Sequence, residues 1–259
     1  MNRIIYLLKN DDKEISMLSQ SLRLLKDNLL PKNNYPIVIL HDEKISSEVF
    51  DNIKRLSGVT FDTILISFDT DEYKIHTVGV PDNIMVPGVD RAFGLGYRHM
   101  CRLYSYGMYE IEELKDTNYY LRLDCDSYFV SPVEYDIFKV MENDDYIYGY
   151  NNITMDNPLV CQNLWEVSEE YSKSVTTKKS FDKIGYLNMY YTNFEIAKFE
   201  WFKNTEYRNY FNMIDNENGI YKWRWGDAVI KFIGIEMFLD DNKKKQFILP
   251  YRHGNIFNL

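Results

Sequence analysis

The sequence contains little cysteine and fewer basic than acidic residues, and both shortages limit the classes of protein to which it can belong. Its cysteines, Cys101, Cys125 and Cys161, form neither a Cys-x-x-Cys pair nor a Cys/His cluster, which excludes a disulfide framework and a zinc-finger type of site. With 30 Lys and Arg against 39 Asp and Glu, the net charge is -9, which argues against nucleic acid or an anionic membrane as partner. We predict three free thiols and no nucleic-acid partner.

Long apolar segments and glycine-rich nucleotide motifs are also missing. The apolar run at residues 4–8 is too short for a signal peptide, and no segment approaches the ~20 apolar residues that span a bilayer. We therefore expect a cytoplasmic protein, or a Golgi-type lumenal domain if the chain is part of a longer protein. No Gly-x-Gly-x-x-Gly follows the first apolar run and no Walker loop is present, which argues against a dinucleotide or P-loop site.

The pattern of apolar residues predicts one α/β domain. At the start of the chain, strands alternate with helices, and this order predicts a parallel sheet that binds ligands at the carboxyl ends of its strands. We expect an irregular connection at residues 70–96 and a mobile surface loop at residues 173–182. The predicted strands are residues 4–8, 36–40, 61–68, 119–123, 146–150 and 246–250, and the predicted helices are residues 15–29, 46–57, 97–114, 133–141, 195–214 and 228–238.

The most informative stretch of the sequence is an Asp-x-Asp directly after a predicted buried strand. Mostly apolar residues at 119–123 lead into Asp124-Cys125-Asp126. If the chain turns at Cys125, both carboxylates reach one ion at the edge of the sheet. Hard oxygen ligands of this kind suit Mg²⁺ or Mn²⁺, which in turn hold a diphosphate. The alternative for Asp124 is a turn cap or a contact to a ribose.

Five blocks of sequence occur in order over nearly the whole chain. They are Tyr97-Arg98-His99-Met100-Cys101-Arg102, Leu121-Arg122-Leu123-Asp124-Cys125-Asp126, Thr192-Asn193-Phe194-Glu195-Ile196-Ala197, Arg224-Trp225-Gly226-Asp227-Ala228 and Tyr251-Arg252-His253. Together they resemble the fungal α-1,2-mannosyltransferases of glycosyltransferase family 15. The resemblance implies a single GT-A type nucleotide-diphospho-sugar transferase domain, with a Rossmann-like mixed sheet flanked by helices. It also implies a GDP-mannose donor, Mn²⁺ as cofactor with Mg²⁺ as a substitute, and retention of configuration at the anomeric carbon.

The resemblance implies a metal site formed by Asp126, Asp124 and His253. The family usually has Glu-Pro-Asp where this chain has Asp124-Cys125-Asp126, and the side chain of Asp124 is one methylene shorter than that of Glu, which alters its reach towards a metal. An imidazole completes an oxygen-rich site for Mn²⁺ better than one for Mg²⁺. The alternative for His253 is a surface residue near the carboxyl terminus.

The same resemblance assigns catalytic roles to Glu195, Asp227 and Tyr97. Glu195 lies where the family has its proposed nucleophile, which attacks or stabilises the anomeric carbon; the other route to retention is a front-face reaction with the donor phosphate as base. We expect Asp227 to bind or deprotonate the acceptor hydroxyl, and Tyr97 to donate a hydrogen bond to the diphosphate. Local sequence by itself favours helix caps for Glu195 and Asp227.

Basic residues are expected to stabilise the departing GDP, because loss of a diphosphate develops negative charge. Arg98, Arg102 and Arg122 are the candidates. Arg122 lies inside a predicted buried strand, where an unpaired charge is costly, so it requires a carboxylate or phosphate partner. The remaining predicted nucleotide contacts are Lys9, Tyr6 and Asp124.

We therefore expect a retaining, Mn²⁺-dependent transferase that moves mannose from GDP-mannose to a hydroxyl of a glycan or glycoprotein, forming an α-1,2 linkage. Residues 1–126 are expected to bind the nucleotide sugar, and residues 127–259 to bind the acceptor and carry catalysis. The alternatives are a UDP-sugar donor on the same fold, or a non-catalytic protein that binds sugar nucleotides or glycans. A binding module has no need of the full set Asp126, Glu195, Asp227 and His253, which favours an enzyme.

Overall fold

The structure is a computed structural model that describes residues 1–89 and 92–254. The strands of these residues, in chain order, are β1 Arg3–Leu8, β2 Ile37–His41, β3 Asp62–Leu65, β4 Asn83–Met85, β5 Ala92–Gly94, β6 Tyr119–Leu123, β7 Ser127–Phe129, β8 Tyr148–Tyr150, β9 Ile153–Met155, β10 Asn188–Tyr190, β11 Phe194–Lys198, β12 Lys244–Gln246 and β13 Tyr251–His253. The α-helices are α1 Asp12–Asn28, α2 Ser47–Ser57, α3 Asp71–Thr77, α4 Leu95–Ser105, α5 Ile137–Asn143, α6 Leu164–Ser172, α7 Thr205–Glu217, α8 Gly219–Trp223 and α9 Asp227–Phe238. Among these helices, none combines the length and the apolar character needed to cross a lipid bilayer.

A mixed seven-stranded sheet organises the described part of the chain. Its strand order is β12-β8-β11-β6-β1-β2-β3. β6, β1, β2 and β3 run parallel to one another, whereas β11 runs antiparallel to both β6 and β8. The sheet takes strands from residues 1–126 and from residues 127–254, and the carboxyl ends of its parallel strands lie at one edge. The predicted mixed sheet flanked by helices is therefore confirmed.

Helices cover both faces of this sheet. α1, α2 and α5 contribute residues such as Leu22 and Phe138 to one apolar core, and α4, α7 and α9 contribute to the other. Because the side chains of a strand alternate between faces, Leu121 of β6 enters the first core, whereas Tyr120 enters the second. Arg122 lies on the same face as Tyr120 and is directed towards α9.

The first part of the chain follows the predicted order of elements. β1, α1, β2 and α2 occur where the sequence predicts them, and β3 is shorter than predicted. Asp11 caps α1, since its side chain accepts the backbone N–H groups of Lys13 at 3.0 Å and Glu14 at 3.2 Å. Gly58 ends α2 with a φ of +66°, a left-handed conformation that glycine adopts without strain. The three cysteines are free, as predicted, and all three are buried.

Several segments differ from the sequence prediction. Residues 70–96 contain α3 and the β4–β5 hairpin rather than only irregular chain, and the helix predicted to reach residue 114 ends at Ser105. Of the final predicted strand at residues 246–250, only Gln246 lies in a strand, as the last residue of β12, and residues 247–250 connect β12 to β13. In residues 173–182, which the sequence predicts to be a mobile surface loop, Lys179 pairs with Glu236 and, at 3.0 Å, with Asp241.

The largest correction concerns residues 195–214, which local sequence predicts to be one helix. Phe194–Lys198 is strand β11, near the middle of the sheet, and helix α7 begins only at Thr205. Phe194 and Ile196 enter one core while Glu195 faces the other, which is the two-residue period of a strand. Pairing with β6 and β8 on both sides overrides the local helical tendency of Glu, Ala and Lys.

Gly149 lies in β8, where no space exists for a side chain. An added Cβ would lie 2.5 Å from Ile196 Cγ2 and 2.7 Å from Phe247 Cε2. Gly149→Ala should therefore lower the free energy of unfolding by about 1–3 kcal/mol, the usual cost of overpacking, as measured by urea unfolding. The matched control is Gly96→Ala in α4, where a Cβ meets no atom within 4 Å, and stability should rise by up to ~1 kcal/mol. Equal effects of the two substitutions would contradict this packing.

Candidate active site

Three candidate metal ligands converge at the carboxyl edge of the sheet. The chain turns after β6 at Asp124-Cys125-Asp126, and Ser127 Oγ accepts the N–H of Asp124 at 3.1 Å. β13 pairs antiparallel with β7 and places His253 opposite Ser127. As a result, His253 Nε2 lies 3.0 Å from Asp126 Oδ1 and 3.6 Å from Asp124 Oδ2. Residues separated by more than 120 positions are thereby brought into one cluster.

The charges and atoms of this cluster suit a divalent cation. One ligand atom from each of Asp124, Asp126 and His253 lies within 4.8 Å of the other two, and two carboxylates with one imidazole form a donor set that Mn²⁺ accepts. Burial lowers the pKa of His253, but Asp124 and Asp126 outweigh it and raise that pKa to about 9. Burial by itself raises the pKa of Asp126, but the hydrogen bond from His253 outweighs it and lowers that pKa. The two carboxylates thus favour a positive charge at this point of the sheet edge, and a divalent cation also supplies one.

A tyrosine orients the imidazole from the opposite side. Tyr191 Oη lies 3.2 Å from His253 Nδ1, and the two rings meet edge to face with centres 5.5 Å apart. A hydrogen bond to the second ring nitrogen fixes the tautomer and the orientation of a ligating histidine. Nε2 of His253 is therefore directed at the two carboxylates.

Arg122 connects this cluster to the first residue of α9. Its Nη1 lies 2.5 Å from Asp227 Oδ2 and its Nη2 lies 3.5 Å from Asp124 Oδ1. The guanidinium carbon lies 3.5 Å from the centre of the Tyr104 ring, and Thr192 Oγ1 donates to Asp227 at 3.1 Å. The N-cap of α9 is Gly226, so the helix-cap alternative for Asp227 is wrong. Arg122 has the carboxylate partner that its burial requires.

Glu195 of β11 is the direct strand partner of Arg122 of β6 and is fully buried. Its carboxylate accepts hydrogen bonds from Tyr120 Oη at 2.5 Å and Tyr148 Oη at 2.9 Å, and it pairs with Lys231 Nζ at 2.6 Å. The helix-cap alternative for Glu195 is wrong, because the residue lies inside β11. Burial lowers the pKa of Lys231, and the paired carboxylate only partly offsets this.

Sequence reasoning missed Lys231, although a signal was present. The residue is a lone lysine inside the apolar run Ala228-Val229-Ile230-Lys231-Phe232-Ile233 of α9. A lysine on an otherwise buried helix requires a buried carboxylate partner. The apolar surroundings of Lys231 in α9 therefore predict an acidic partner on the facing sheet.

Arg98 and Arg102 are engaged in the fold rather than in the cluster. Arg98 is fully buried and donates to the backbone carbonyls of Gly94, Pro81, Asp82 and Tyr221. Arg102 pairs with Asp215 at 2.8 Å and Glu72 at 2.7 Å. Because these contacts occupy N–H groups of both guanidinium groups, neither arginine is part of the nucleotide site that we propose.

The other predicted nucleotide contacts and Tyr97 lie in different environments. Tyr6 is fully buried under α1, where its Oη lies 3.0 Å from Ser21 Oγ, and burial raises its pKa; it is therefore a core residue. Lys9 is exposed directly after β1, at the same sheet edge as the Asp-x-Asp turn. Tyr97 is half-buried in α4, with its ring centre 5.5 Å from the guanidinium carbon of Arg224.

A cavity of about 330 Å³ opens beyond the carboxyl ends of β2 and β3. The His99 ring stacks on Phe68 with centres 5.2 Å apart. Burial, followed by the charges of Arg98 and Arg102, lowers the pKa of His99 to about 4, so the imidazole is neutral at physiological pH. The cavity is lined by Asp42, Ser67, Phe68, Asp69, Lys74, Thr77, Leu95 and His99.

Comparison with curated proteins finds mannosyltransferases. One relative is the probable mannosyltransferase MNT3 of Candida albicans, which is 27% identical over 249 residues, with 91% of this chain and 65% of the relative covered. A second is the glycolipid 2-alpha-mannosyltransferase of Saccharomyces cerevisiae, which is 26% identical over 258 residues, with 93% of this chain and 58% of the relative covered. The chain thus spans about three fifths of the length of these relatives.

Comparison with solved structures shows the fold. The crystal structure of core-mannan synthase A (CmsA/Ktr4) from Aspergillus fumigatus, in its Mn/GDP form, superimposes with a TM-score of 0.82 at 23% identity, covering 97% of this chain and 74% of that one. The architecture is that of GT-A glycosyltransferases, as predicted. The family model described as Glycolipid 2-alpha-mannosyltransferase matches residues 1–258. The chain therefore belongs to the glycolipid 2-alpha-mannosyltransferase family, as its five sequence blocks indicated.

Proposed function

We propose that the protein is a retaining, divalent-metal-dependent mannosyltransferase that moves mannose from GDP-mannose to a hydroxyl of a glycan or glycoprotein. The observation that carries the proposal is the convergence of Asp124, Asp126 and His253 at the carboxyl edge of the sheet. Membership of the family and the Mn/GDP form of the Aspergillus structure support the donor and the metal. The description of the family supports an α-1,2 linkage.

In this proposal, Asp124, Asp126 and His253 hold Mn²⁺, with Mg²⁺ as a substitute. The bound ion supplies positive charge that neutralises the diphosphate of the leaving GDP. Arg122 supports the site without binding the phosphates, since its guanidinium pairs with Asp227 and lies 3.5 Å from Asp124. Tyr191 keeps the imidazole of His253 in its ligating orientation.

The nucleoside is proposed to bind along the same sheet edge, in the half formed by residues 1–126. Ligands of open α/β sheets bind beyond the carboxyl ends of the strands. The 330 Å³ cavity after β2 and β3 has the volume and the aromatic wall that suit a nucleoside. Lys9, exposed at the end of β1, is in a position to contact the nucleotide phosphates.

The acceptor is proposed to bind in the half formed by residues 127–259, next to the start of α9. Arg122 and Thr192 both contact Oδ2 of Asp227, and Oδ1 is the oxygen that we assign to the acceptor hydroxyl. Tyr97 is assigned a hydrogen bond to the departing diphosphate. Glu195 supports the site from inside the protein, because its side chain has no exposed surface and both of its oxygens accept hydrogen bonds.

This burial of Glu195 favours the front-face route to retention. The acceptor oxygen bonds to the anomeric carbon on the face from which the bond to the phosphate oxygen breaks. The acceptor proton passes to that phosphate oxygen as GDP leaves. The route needs no protein nucleophile within the ~3–3.5 Å of the anomeric carbon that attack requires.

Calorimetry with nucleotides tests the donor and the metal. GDP should bind at least ~10-fold more tightly with Mn²⁺ than without it, because the ion joins the carboxylates to the diphosphate. UDP with Mn²⁺ should bind more weakly than GDP with Mn²⁺, since the base cavity is assigned to guanine. Equal or tighter binding of UDP would reject GDP-mannose as donor and favour a UDP-sugar enzyme on the same fold.

A further inference from the structure

Lys231 is a buried cation that the proposed transfer step does not use. Its side chain and that of Glu195 have no exposed surface, and Nζ lies 2.6 Å from Glu195 Oε1. Aromatic rings surround the ammonium, with the centres of Phe202, Tyr109 and Tyr120 at 5.0, 5.6 and 5.7 Å. A buried charge in such surroundings is stabilised chiefly by its one carboxylate partner.

The ion pair is one of two neighbouring ion pairs between α9 and the sheet. Asp227 and Lys231 are four residues apart, so both lie on the same side of α9. They face Arg122 of β6 and Glu195 of β11, which are direct partners across the two strands. Along α9 the negative charge of Asp227 precedes the positive charge of Lys231. The facing side chains of the sheet are the positive Arg122 and the negative Glu195. A shift of α9 by one helical turn along the sheet would bring like charges together, so the two ion pairs fix the position of α9 along the sheet.

We propose that Lys231 is a positioning residue: its ion pair with Glu195 fixes α9 against the sheet and thereby holds Asp227 at the acceptor side of the active site. Glu195 is then the anchor of the helix rather than the group that reacts with the sugar. The kinetic part of this inference rests on the proposed mannosyl transfer, whereas its unfolding part does not.

The kinetic test uses Lys231→Met, Glu195→Gln and the double variant, with GDP-mannose as donor and methyl α-mannoside as acceptor. Each single variant leaves one buried group without its partner, which releases α9, so kcat/KM for the acceptor should fall at least ~10-fold with the donor KM within ~2-fold of the parent value. The double variant is a neutral pair of similar volume and should recover to within ~3-fold of the parent. Lys173→Met removes an exposed lysine paired with Glu170 and should leave the kinetics unchanged.

The unfolding test compares Lys231→Met with the double variant across pH, without substrate. Both proteins lack the ammonium of Lys231, and they differ only at position 195, which is a carboxyl in Lys231→Met and an amide in the double variant. A buried carboxyl without a cation binds a proton more tightly in the folded than in the unfolded state. Its stability contribution is therefore present near pH 4 and is lost as the pH rises. The urea midpoints should be equal near pH 4, and that of Lys231→Met should become progressively lower up to about pH 8.

The groups that face residue 195 are common to both proteins, so the pH dependence that comes from their own titration cancels in this comparison. They are Tyr120 and Arg122 of β6, Tyr148 of β8, Tyr109 of the segment after α4, Tyr207 of α7 and Asp227 of α9. Equal midpoints of the two variants at all pH values would overturn the buried, uncompensated carboxyl on which the pairing rests, and a Lys231→Met variant as stable as the parent protein at pH 7 would overturn the pairing itself.

The kinetic outcomes separate the positioning role from covalent catalysis. A double variant that folds like the parent but stays at least ~10²-fold slower would overturn the inference, since Glu195 would then take part in the chemistry itself. If Lys231→Met fails to fold, recovery of folding in the double variant supports the pairing, and failure of both overturns it. A parent protein that transfers no mannose would reject the proposed function, and the unfolding comparison would still decide the role of Lys231.

Discussion

Asp126→Asn and His253→Ala should each weaken Mn²⁺-dependent binding of GDP by at least ~100-fold while leaving the protein folded. Loss of a residue that only hydrogen-bonds to a metal ligand already lowers metal affinity by about 10–100-fold. These substitutions remove the proposed ligands themselves. Both side chains are only partly buried at the sheet edge, with a quarter of their surface exposed, so neither change opens a cavity in the core. Titration calorimetry with GDP at fixed Mn²⁺ gives the affinity, and thermal unfolding monitors the fold.

The matched control for Asp126→Asn is Asp144→Asn, which removes the same charge from an exposed residue after α5. Its binding of GDP with Mn²⁺ should equal that of the parent protein. If Asp126→Asn and His253→Ala bind as tightly as this control, the metal site lies elsewhere on the molecule. If both bind Mn²⁺ normally but lose GDP, Asp126 and His253 contact the nucleotide rather than the ion.

The position of this cluster was predictable because the signal is local to one strand end. A mostly apolar strand followed by Asp-x-Asp predicts carboxylates at the carboxyl edge, and the structure has them there. His253 was identified only through the resemblance of its block to a family. The physical link is the pairing of β13 with β7, a contact between distant segments that no local pattern encodes.

The environment of Glu195 was not predictable from local sequence. Glu, Ala and Lys at residues 195–198 favour a helix in isolation, but β11 is held by strands on both sides. Strand preference depends on such neighbours more than helix preference does. The same limitation applies to Arg98 and Arg102, because several of the carbonyl and carboxylate groups that they contact come from α8 and α7, more than 100 residues later in the chain.

Asp227→Asn should lower turnover at least ~10²-fold and lower the free energy of unfolding by about 3 kcal/mol. The turnover estimate is the low end for removal of one electrostatic group from an active site, and the stability estimate reflects the buried guanidinium of Arg122 left without its carboxylate. The affinity for Mn²⁺ should also fall, because the released guanidinium is free to move from 3.5 Å to full contact with Asp124. Turnover with GDP-mannose, urea unfolding and Mn²⁺ affinity are measured on the same preparation.

The double variant Asp227→Asn/Arg122→Met separates these effects. It removes both members of the pair, so stability and Mn²⁺ affinity should recover towards the parent values while turnover stays low, since the acceptor hydroxyl still lacks its carboxylate. Thr192→Ala, which removes a 3.1 Å hydrogen bond to the same oxygen, should cost only about 1 kcal/mol and little turnover. If the double variant regains turnover together with stability, Asp227 serves only as the counterion of Arg122. In that event, the acceptor hydroxyl is bound by another residue, and the front-face route keeps the donor phosphate as its base.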